Sequence, residues 1–441
     1  MKRQKAKGKS NLPNFPSTLY LLTSTFQMSS PSFAAFRHAG YRAFLLGSAA
    51  AMLADSIEHV ISYWVVFQRF HSPALGGFAV LSHWLPFLLF SVHAGALADR
   101  FDPRRIIQVG MVLFMFVSVG WGVLFQADRL ETWHAMALLV LHGLAGVLWN
   151  PSAQTLLHEL VPAQDVPSAV RLIASARYLG LLLGPAVGAT LLLALGPTPG
   201  IFLNSLIYLP LTVWLSRSAA GARVRRDSGA ARPVSGLADL RGAVRAAANH
   251  PTIVSMMLLA GCTSLLIGNA YQAQMPGFAH DLGHGDPGVS YSMLLAADAA
   301  GALSAAFVLE SRGLLHARAR TACLLAMFWC AALGGFALTT TYALALAALF
   351  AAGFLELSFN TMAQTLVQLN APAGMRGRII GLFSMCGLGS RAFSGVSVGL
   401  LGSLIGIHRS LAVSAAALCA IVGVVLTVTT GAASRLDAAH D

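Results

Sequence analysis

Twelve runs of mostly apolar residues, each about long enough to cross a bilayer, leave this chain few ways to fold. They fall at 43–67, 76–98, 105–126, 134–157, 168–195, 200–216, 251–276, 289–309, 319–338, 341–366, 378–405 and 410–430. A spanning helix needs about 20 such residues. A membrane β-barrel strand would instead alternate with period two over about ten residues. These runs are continuously apolar, so the spacing predicts an all-α membrane protein with twelve transmembrane helices. The sixth and ninth runs are the short or weak ones. Turn signals divide the runs, among them Gly196-Pro197-Thr198-Pro199-Gly200 and His284-Gly285-Asp286-Pro287-Gly288.

Charge supports the same class. Only 10% of the 441 residues are charged, against about 25% in a soluble domain. That excludes a soluble enzyme, and so apolar a chain does not stay solvated as a disordered one. The net charge of +12 is distributed unevenly. If the segments before the first run and after each even-numbered run lie on one side, that side holds 23 Lys and Arg, and the other holds three, Arg69, Arg129 and Arg409. The positive-inside rule then places both termini in the cytoplasm. The basic residues read as partners of anionic lipid headgroups, with no nucleic acid required.

The expected organisation is a basic cytoplasmic tail (1–42), a six-helix bundle (43–216), a basic cytoplasmic linker (217–250), a second six-helix bundle (251–430) and a cytoplasmic tail (431–441). The apolar stretch at 19–22 is too short for a signal peptide, and Met28 is an alternative start. An internal repeat crosses the linker. Asn150-Pro151-Ser152-Ala153-Gln154-Thr155-Leu156 matches Asn360-Thr361-Met362-Ala363-Gln364-Thr365-Leu366 at an offset of 210 residues, and Pro162 and Pro372 keep that offset. Parallel six-helix repeats are a known transporter architecture. The five cysteines, Cys262, Cys323, Cys330, Cys386 and Cys419, read as small buried hydrophobes, with no disulfide framework or zinc site.

The segment Gly95-Ala96-Leu97-Ala98-Asp99-Arg100-Phe101-Asp102-Pro103-Arg104-Arg105 follows the second run. It resembles the loop signature between helices 2 and 3 of the major facilitator superfamily, with Asp102 where many members have glycine. A second-half counterpart near Glu310 and Arg312 is degraded. From Phe36 to about Arg217 the chain is similar to the macrolide- and siderophore-exporter branch. The resemblance implies two pseudo-symmetric six-helix bundles in the bacterial inner membrane. It also makes Gly95, Asp99, Arg100, Arg104 and Arg105 a conformational latch. On physical grounds Asp99 is an acid among arginines, able to pair with them or to accept bonds from a neighbouring helix N-terminus. Gly180, Gly184, Pro185 and Gly188 resemble the later part of an exporter motif on helix 5, whose earlier glycine is missing near Arg171. Small residues at this spacing also serve plain helix packing.

Charges inside a bilayer cost at least about 2.5–3.5 kcal/mol and ask for a partner or a wet cavity. Asp55, Glu58 and His59 lie on one side of the first helix, where two acids a turn apart suit proton coupling. The alternative is a static network, such as Asp55 with Arg177. Asn150, Gln154 and His158 form a stripe on helix 4, and Glu356, Asn360 and Gln364 form one on helix 10. Helix 7 adds Asn269 and Gln272. In the resembled fold, helices 1, 4, 7 and 10 line the central cavity. Stripes of this kind also act as interhelical glue. Asp298 and Arg391 read as a mutual or latch-type pair. Trp64, Phe67, Trp84 and Trp149 are candidates to touch an apolar substrate. His280, His284 and Asp286 in an external loop lack a second histidine cluster, so no metal and no cofactor are expected.

With no nucleotide-binding loop, the expected function is secondary active export of a small amphipathic organic compound, drug-like or macrolide-like, in exchange for protons. Acids in the cavity suit a cationic or amine-bearing substrate. Siderophore or metabolite export is the alternative, followed by uptake. A membrane-embedded lipid enzyme would need histidine boxes or a nucleophile elbow that the chain lacks. The expected partners are substrate, protons and lipid, with the chain acting as a monomer.

Overall fold

The computed structural model describes residues 33–70, 73–218, 236–268, 270–283, 290–312, 317–394 and 401–437. The basic start of the chain, Met28, His284 and Asp286 lie outside these residues. Helices α1 (Ala39–Phe70), α2 (Pro73–Arg100), α3 (Pro103–Gln126), α4 (Thr132–Leu160), α5 (Val166–Leu195) and α6 (Pro197–Arg217) form the first half. A linker helix (Gly236–Ala248) leads to the second half. There α8 (Ser290–Arg312), α9 (Ala319–Leu338), α10 (Tyr342–Asn370) and α12 (Ile407–Asp437) are continuous. Ten helices among the described residues are long and apolar enough to span a membrane.

The seventh and eleventh runs are interrupted, whereas the ninth, expected to be weak, is unbroken. Helix α7 consists of Pro251–Leu266, Ala270–Ala273 and Met275–Asp281. Its first segment ends at Gly268, whose φ of +49° falls in the left-handed region that glycine tolerates best. The Gly268 N–H donates to Thr263 O at 2.9 Å. A Cβ there would stand 2.6 Å from Ser394 on the eleventh run. Helix α11 runs over Arg376–Gly387 and tightens into a 3-10 turn at Gly389–Phe393. Discontinuous helices place free backbone groups at membrane depth, which is tolerated beside a cavity.

Proline and glycine set the close contacts within each half. Pro86 in α2 has no N–H and leaves the Ser82 carbonyl without its helical partner. Gly143 of α4 sits against that carbonyl, where a Cβ would be only 2.2 Å from it. Gly353 of α10 meets the Asp298 carbonyl of α8 in the same way, at 1.9 Å. Gly143 and Gly353 are 210 residues apart, the offset of the repeat. Gly180, Gly184 and Gly188 pack α5 onto α1 against Met52, Ser56 and Val60, while Pro185 is exposed.

The buried core is divided between the halves. Tyr41, Phe44, Phe114 and Tyr208 anchor one cluster of the first half, and Ile57, Ile61 and Trp121 anchor another. Phe278, Trp329, Phe336 and Phe359 anchor the large cluster of the second half. Cys323 and Cys330 are buried, but Cys262, Cys386 and Cys419 are only half-buried, and all five are free thiols.

Candidate functional site

A cavity of about 430 Å³ lies between the halves. The first half contributes Asp55 and His59 from α1, His83 and Trp84 from α2, and Trp149, Asn150 and Gln154 from α4. Arg177 and Tyr178 reach it from α5. The second half contributes Gln272 from α7, Glu356, Asn360 and Gln364 from α10, and Ser384 and Arg391 from α11. Eight of the ten expected binding residues thus line one space. Asn269 lies outside the described residues. Glu58 is buried behind the wall, and Trp64 does not line the cavity. Phe67's side chain lies outside the description.

Glu58 differs from expectation for a specific reason: His142 of α4 stands between it and Asp55. His142 Nδ1 is 2.7 Å from Glu58 Oε1, and its Nε2 is 2.9 Å from Asp55 Oδ1. The Ser118 hydroxyl also donates to Glu58. An imidazole therefore bridges the two acids of α1, which do not face each other. Asp55 and Arg177 form no ion pair in the structure.

Asp298 and Arg391 do not pair either. The Asp298 carboxylate accepts from Gln272 Nε2 at 3.0 Å and from Tyr271 Oη at 3.1 Å. The same phenol oxygen lies 3.4 Å from Glu356 Oε2. Tyr271 thus joins two acids from α8 and α10. Arg391 stacks on the Trp84 ring across the halves, 5.3 Å from its centroid. The expectation of an acidic cavity is corrected accordingly, since Arg177 and Arg391 face it as well.

Polar contacts close the end of the cavity next to the linker helix. Gln368 Nε2 donates to Gln154 Oε1 at 3.2 Å, and Ser384 Oγ to Asn150 Oδ1 at 3.3 Å. Beyond them Asp99 accepts from the backbone N–H groups of Gly377 and Arg378 at the start of α11. A carboxylate there meets free N–H groups and the positive end of the helix dipole. Gly95 and Gly377 bring the two backbones together, since a Cβ on Gly95 would be 2.0 Å from Gly377 O.

The arginines of this segment have other partners. Arg100 bonds Asp239 of the linker helix at 2.7 Å, and Arg378 Nε lies 3.7 Å from the same acid. Arg104 pairs with Asp102 and donates to the Ser218 carbonyl, while Arg105 bonds Gln108. The departure at Asp102 has a local cause: its side chain caps α3 through Arg104 N, with Pro103 in the first turn.

A two-bundle helical fold, a cavity at its seam and this α2–α11 contact point to one group of proteins. Residues 30–440 match the family model described as transmembrane secretion effector. The chain belongs to that family, within the major facilitator superfamily. Its family and fold are those of transporters, which are not enzymes. It is 26% identical over 164 residues to YfiS of Bacillus subtilis, an uncharacterized transporter of this type, covering 34% of this chain and 37% of YfiS. It is 29% identical over 120 residues to MdtD of Cronobacter sakazakii, a protein named for multidrug resistance, covering 27% and 24%. The matches therefore span well under half of these relatives. Among solved structures, the human organic anion transporter MFSD10 superposes with a TM-score of 0.64 at 14% identity, over 88% of this chain and 98% of that one. The Escherichia coli fucose:proton symporter FucP gives 0.62 at 12%, over 90% and 97%. These likenesses show the fold.

Within this family member, sequence reasoning missed His83, His142 and Tyr271. None of them continues a polar stripe, and only the packing of separate helices brings His83 to the cavity and His142 and Tyr271 to the acids beside it. Glu310 was legible only as a degraded motif. It lies 211 residues after Asp99 and accepts from Arg171 Nε at 2.7 Å and from the Ser168 hydroxyl. The residue 210 before Gly377 is Pro167, which has no N–H to offer. The α5–α8 contact therefore uses side chains where the α2–α11 contact uses backbone.

Proposed function

We propose that this protein is a secondary active exporter in the bacterial inner membrane, driven by proton exchange. Its substrate is a small amphipathic organic compound that carries charge and apolar surface together. The observation that carries the reading is a cavity between the two halves whose walls hold both carboxylates and arginines beside Trp84 and Trp149. Asp55 fits a cationic group and Arg177 with Arg391 an anionic one, so zwitterionic amphiphiles suit the cavity better than simple amines.

The proton site in this reading is the Asp298–Tyr271–Glu356 group. One phenolic hydrogen serves one carboxylate, so contact with both acids is satisfied when one carboxyl carries a proton and donates it back to Tyr271. Two buried acids this close hold one negative charge more cheaply than two. Substrate arrival would displace the proton, and rocking of the halves would carry either species across.

The proposed topology follows the arginine distribution: both tails and the linker are cytoplasmic. The contacts at Asp99 and Glu310 then seal the cytoplasmic side and release when the halves turn inward. Transport by a monomer is part of the proposal.

Inside-out vesicles energised by respiration test it. Adding a transported amphiphile should release accumulated protons from vesicles holding the wild-type protein, and the release should be lost with Glu356→Gln. Substrate accumulation in intact cells, driven by the inward proton gradient, would overturn the export reading in favour of uptake.

A further inference from the structure

Three helices of the first half each bring a histidine to one place on the cavity wall: His59 from α1, His83 from α2 and His142 from α4. One ring nitrogen of each lies within 4.8 Å of the others. The ring centroids are 4.7 to 5.5 Å apart. Asp55 stands beside these histidines, with Oδ1 2.9 Å from His142 Nε2 and Oδ2 3.8 Å from His59 Nδ1. His59, His83 and Asp55 line the cavity, and His142 is buried behind them.

Hydrogen bonds select the free nitrogens. His59 Nδ1–H donates to the Asp55 carbonyl at 2.7 Å, which leaves the lone pair on Nε2. His142 Nδ1–H donates to Glu58 at 2.7 Å, which leaves Nε2 turned toward the group. Glu58 is itself held by the Ser118 hydroxyl, and Asn204 donates to Ser118 at 3.3 Å. His83 Nδ1 is buried with no hydrogen-bond partner. A ring whose far N–H is held by a carboxylate or a carbonyl is how proteins orient histidines toward a metal. As mere packing, the cluster would leave a buried polar nitrogen unsatisfied.

We propose that His59, His83 and His142, with Asp55 as fourth ligand, bind one divalent first-row transition-metal ion of the zinc, cobalt or nickel class. Imidazole nitrogens with one carboxylate suit these borderline ions and not magnesium or calcium. Metal–nitrogen bonds of about 2.0–2.1 Å require ring nitrogens about 3.3 Å apart in a tetrahedron. From spacings of up to 4.8 Å, the cluster must close by up to about 1.5 Å to hold the ion. Asp55 and Glu58 together balance the two positive charges. All the ligands sit in one half, so the ion travels with that half when the bundles rock. It faces the same cavity as Arg177 and Arg391, which places metal-coordinating amphiphiles among the compounds the cavity can take.

The metal site is independent of export and proton coupling, because it is read on resting protein. Purified full-length protein in detergent, stripped with chelator, is dialysed against zinc, cobalt or nickel salts, and bound metal is counted per chain. One ion per chain is expected, with a four-coordinate cobalt absorption spectrum. His83→Ala and His59→Asn should each weaken binding at least tenfold, while His280→Ala, at an exposed position, should not. Glu58→Gln acts through His142 and should weaken binding while keeping the spectrum. Size-exclusion profiles identify the variants that remain folded. Absence of saturable binding by the wild type overturns the proposal. So does undiminished binding by folded variants lacking His59 or His83.

Discussion

Gly95 on α2 and Gly377 on α11 touch backbone to backbone, with no room for a methyl group on either: a Cβ on Gly95 would stand 2.0 Å from Gly377 O, and one on Gly377 would stand 2.2 Å from Gly95 O. The contact continues along α11 through Gly381 against Ser91 and Gly389 against Leu88. Glycine at these positions lets the two helices lie against each other without side chains between them. Gly95→Val is therefore expected to hold the halves apart at this end. A single cysteine at position 154 should label faster from the linker-helix side in that variant than in the Gly95 parent.

Asp99 adds a directional bond to that contact, since two backbone N–H groups of α11 point at one carboxylate. Capping interactions of this sort contribute about 0.5–2 kcal/mol. Asp99→Ala should shift the conformational equilibrium by about 2- to 30-fold and lower turnover more than substrate affinity. Asp99→Asn keeps an acceptor and should fall between the two. Turnover assays alongside equilibrium substrate binding separate the effects, and unchanged turnover in Asp99→Ala would remove the latch role.

On the other seam, Glu310 is 1% exposed and holds Arg171. Deleting one partner leaves the other charge buried, at about 3–5 kcal/mol. Glu310→Ala should lower the melting temperature in detergent clearly. The double change Glu310→Leu with Arg171→Met should recover most of that loss, because apolar replacement of a whole buried pair is often neutral or better. Differential scanning fluorimetry on the two variants and the parent reads this directly.

The fold class was plain in the apolar runs, because a spanning helix must be continuous and the lipid leaves few alternatives. Pro162 and Pro372, with the Asn-x-x-Ala-Gln-Thr-Leu repeat, mark corresponding places in the two halves. The breaks in α7 and α11 were not legible: Gly268 sits in an apolar run like many membrane glycines, and only its +49° φ distinguishes it. Candidate cavity residues could be found where a helix carried a polar stripe, as with Asn150 and Gln154 or Glu356 and Asn360. His83, Tyr271 and Arg391 sit in no such stripe. In the sequence Arg177 offers itself only as a partner for Asp55. Their meaning depends on which helices meet, and that depends on contacts such as Gly143 on Ser82, which no local pattern reveals.

Tyr271 makes the proton-site reading open to dissection. In Tyr271→Phe the shared hydroxyl is gone, and Asp298 keeps only the Gln272 bond at 3.0 Å. The group that joins the two acids is lost, so substrate-driven proton release should fall below that of the parent protein while substrate binding persists. Glu356→Gln removes one acid outright and should abolish coupled release at every pH, while substrate exchange across de-energised vesicles continues. Asp298→Asn should behave like Glu356→Gln if the pair shares one proton. If Asp298→Asn instead leaves coupled release intact, Glu356 carries the proton alone and the shared pair is ruled out.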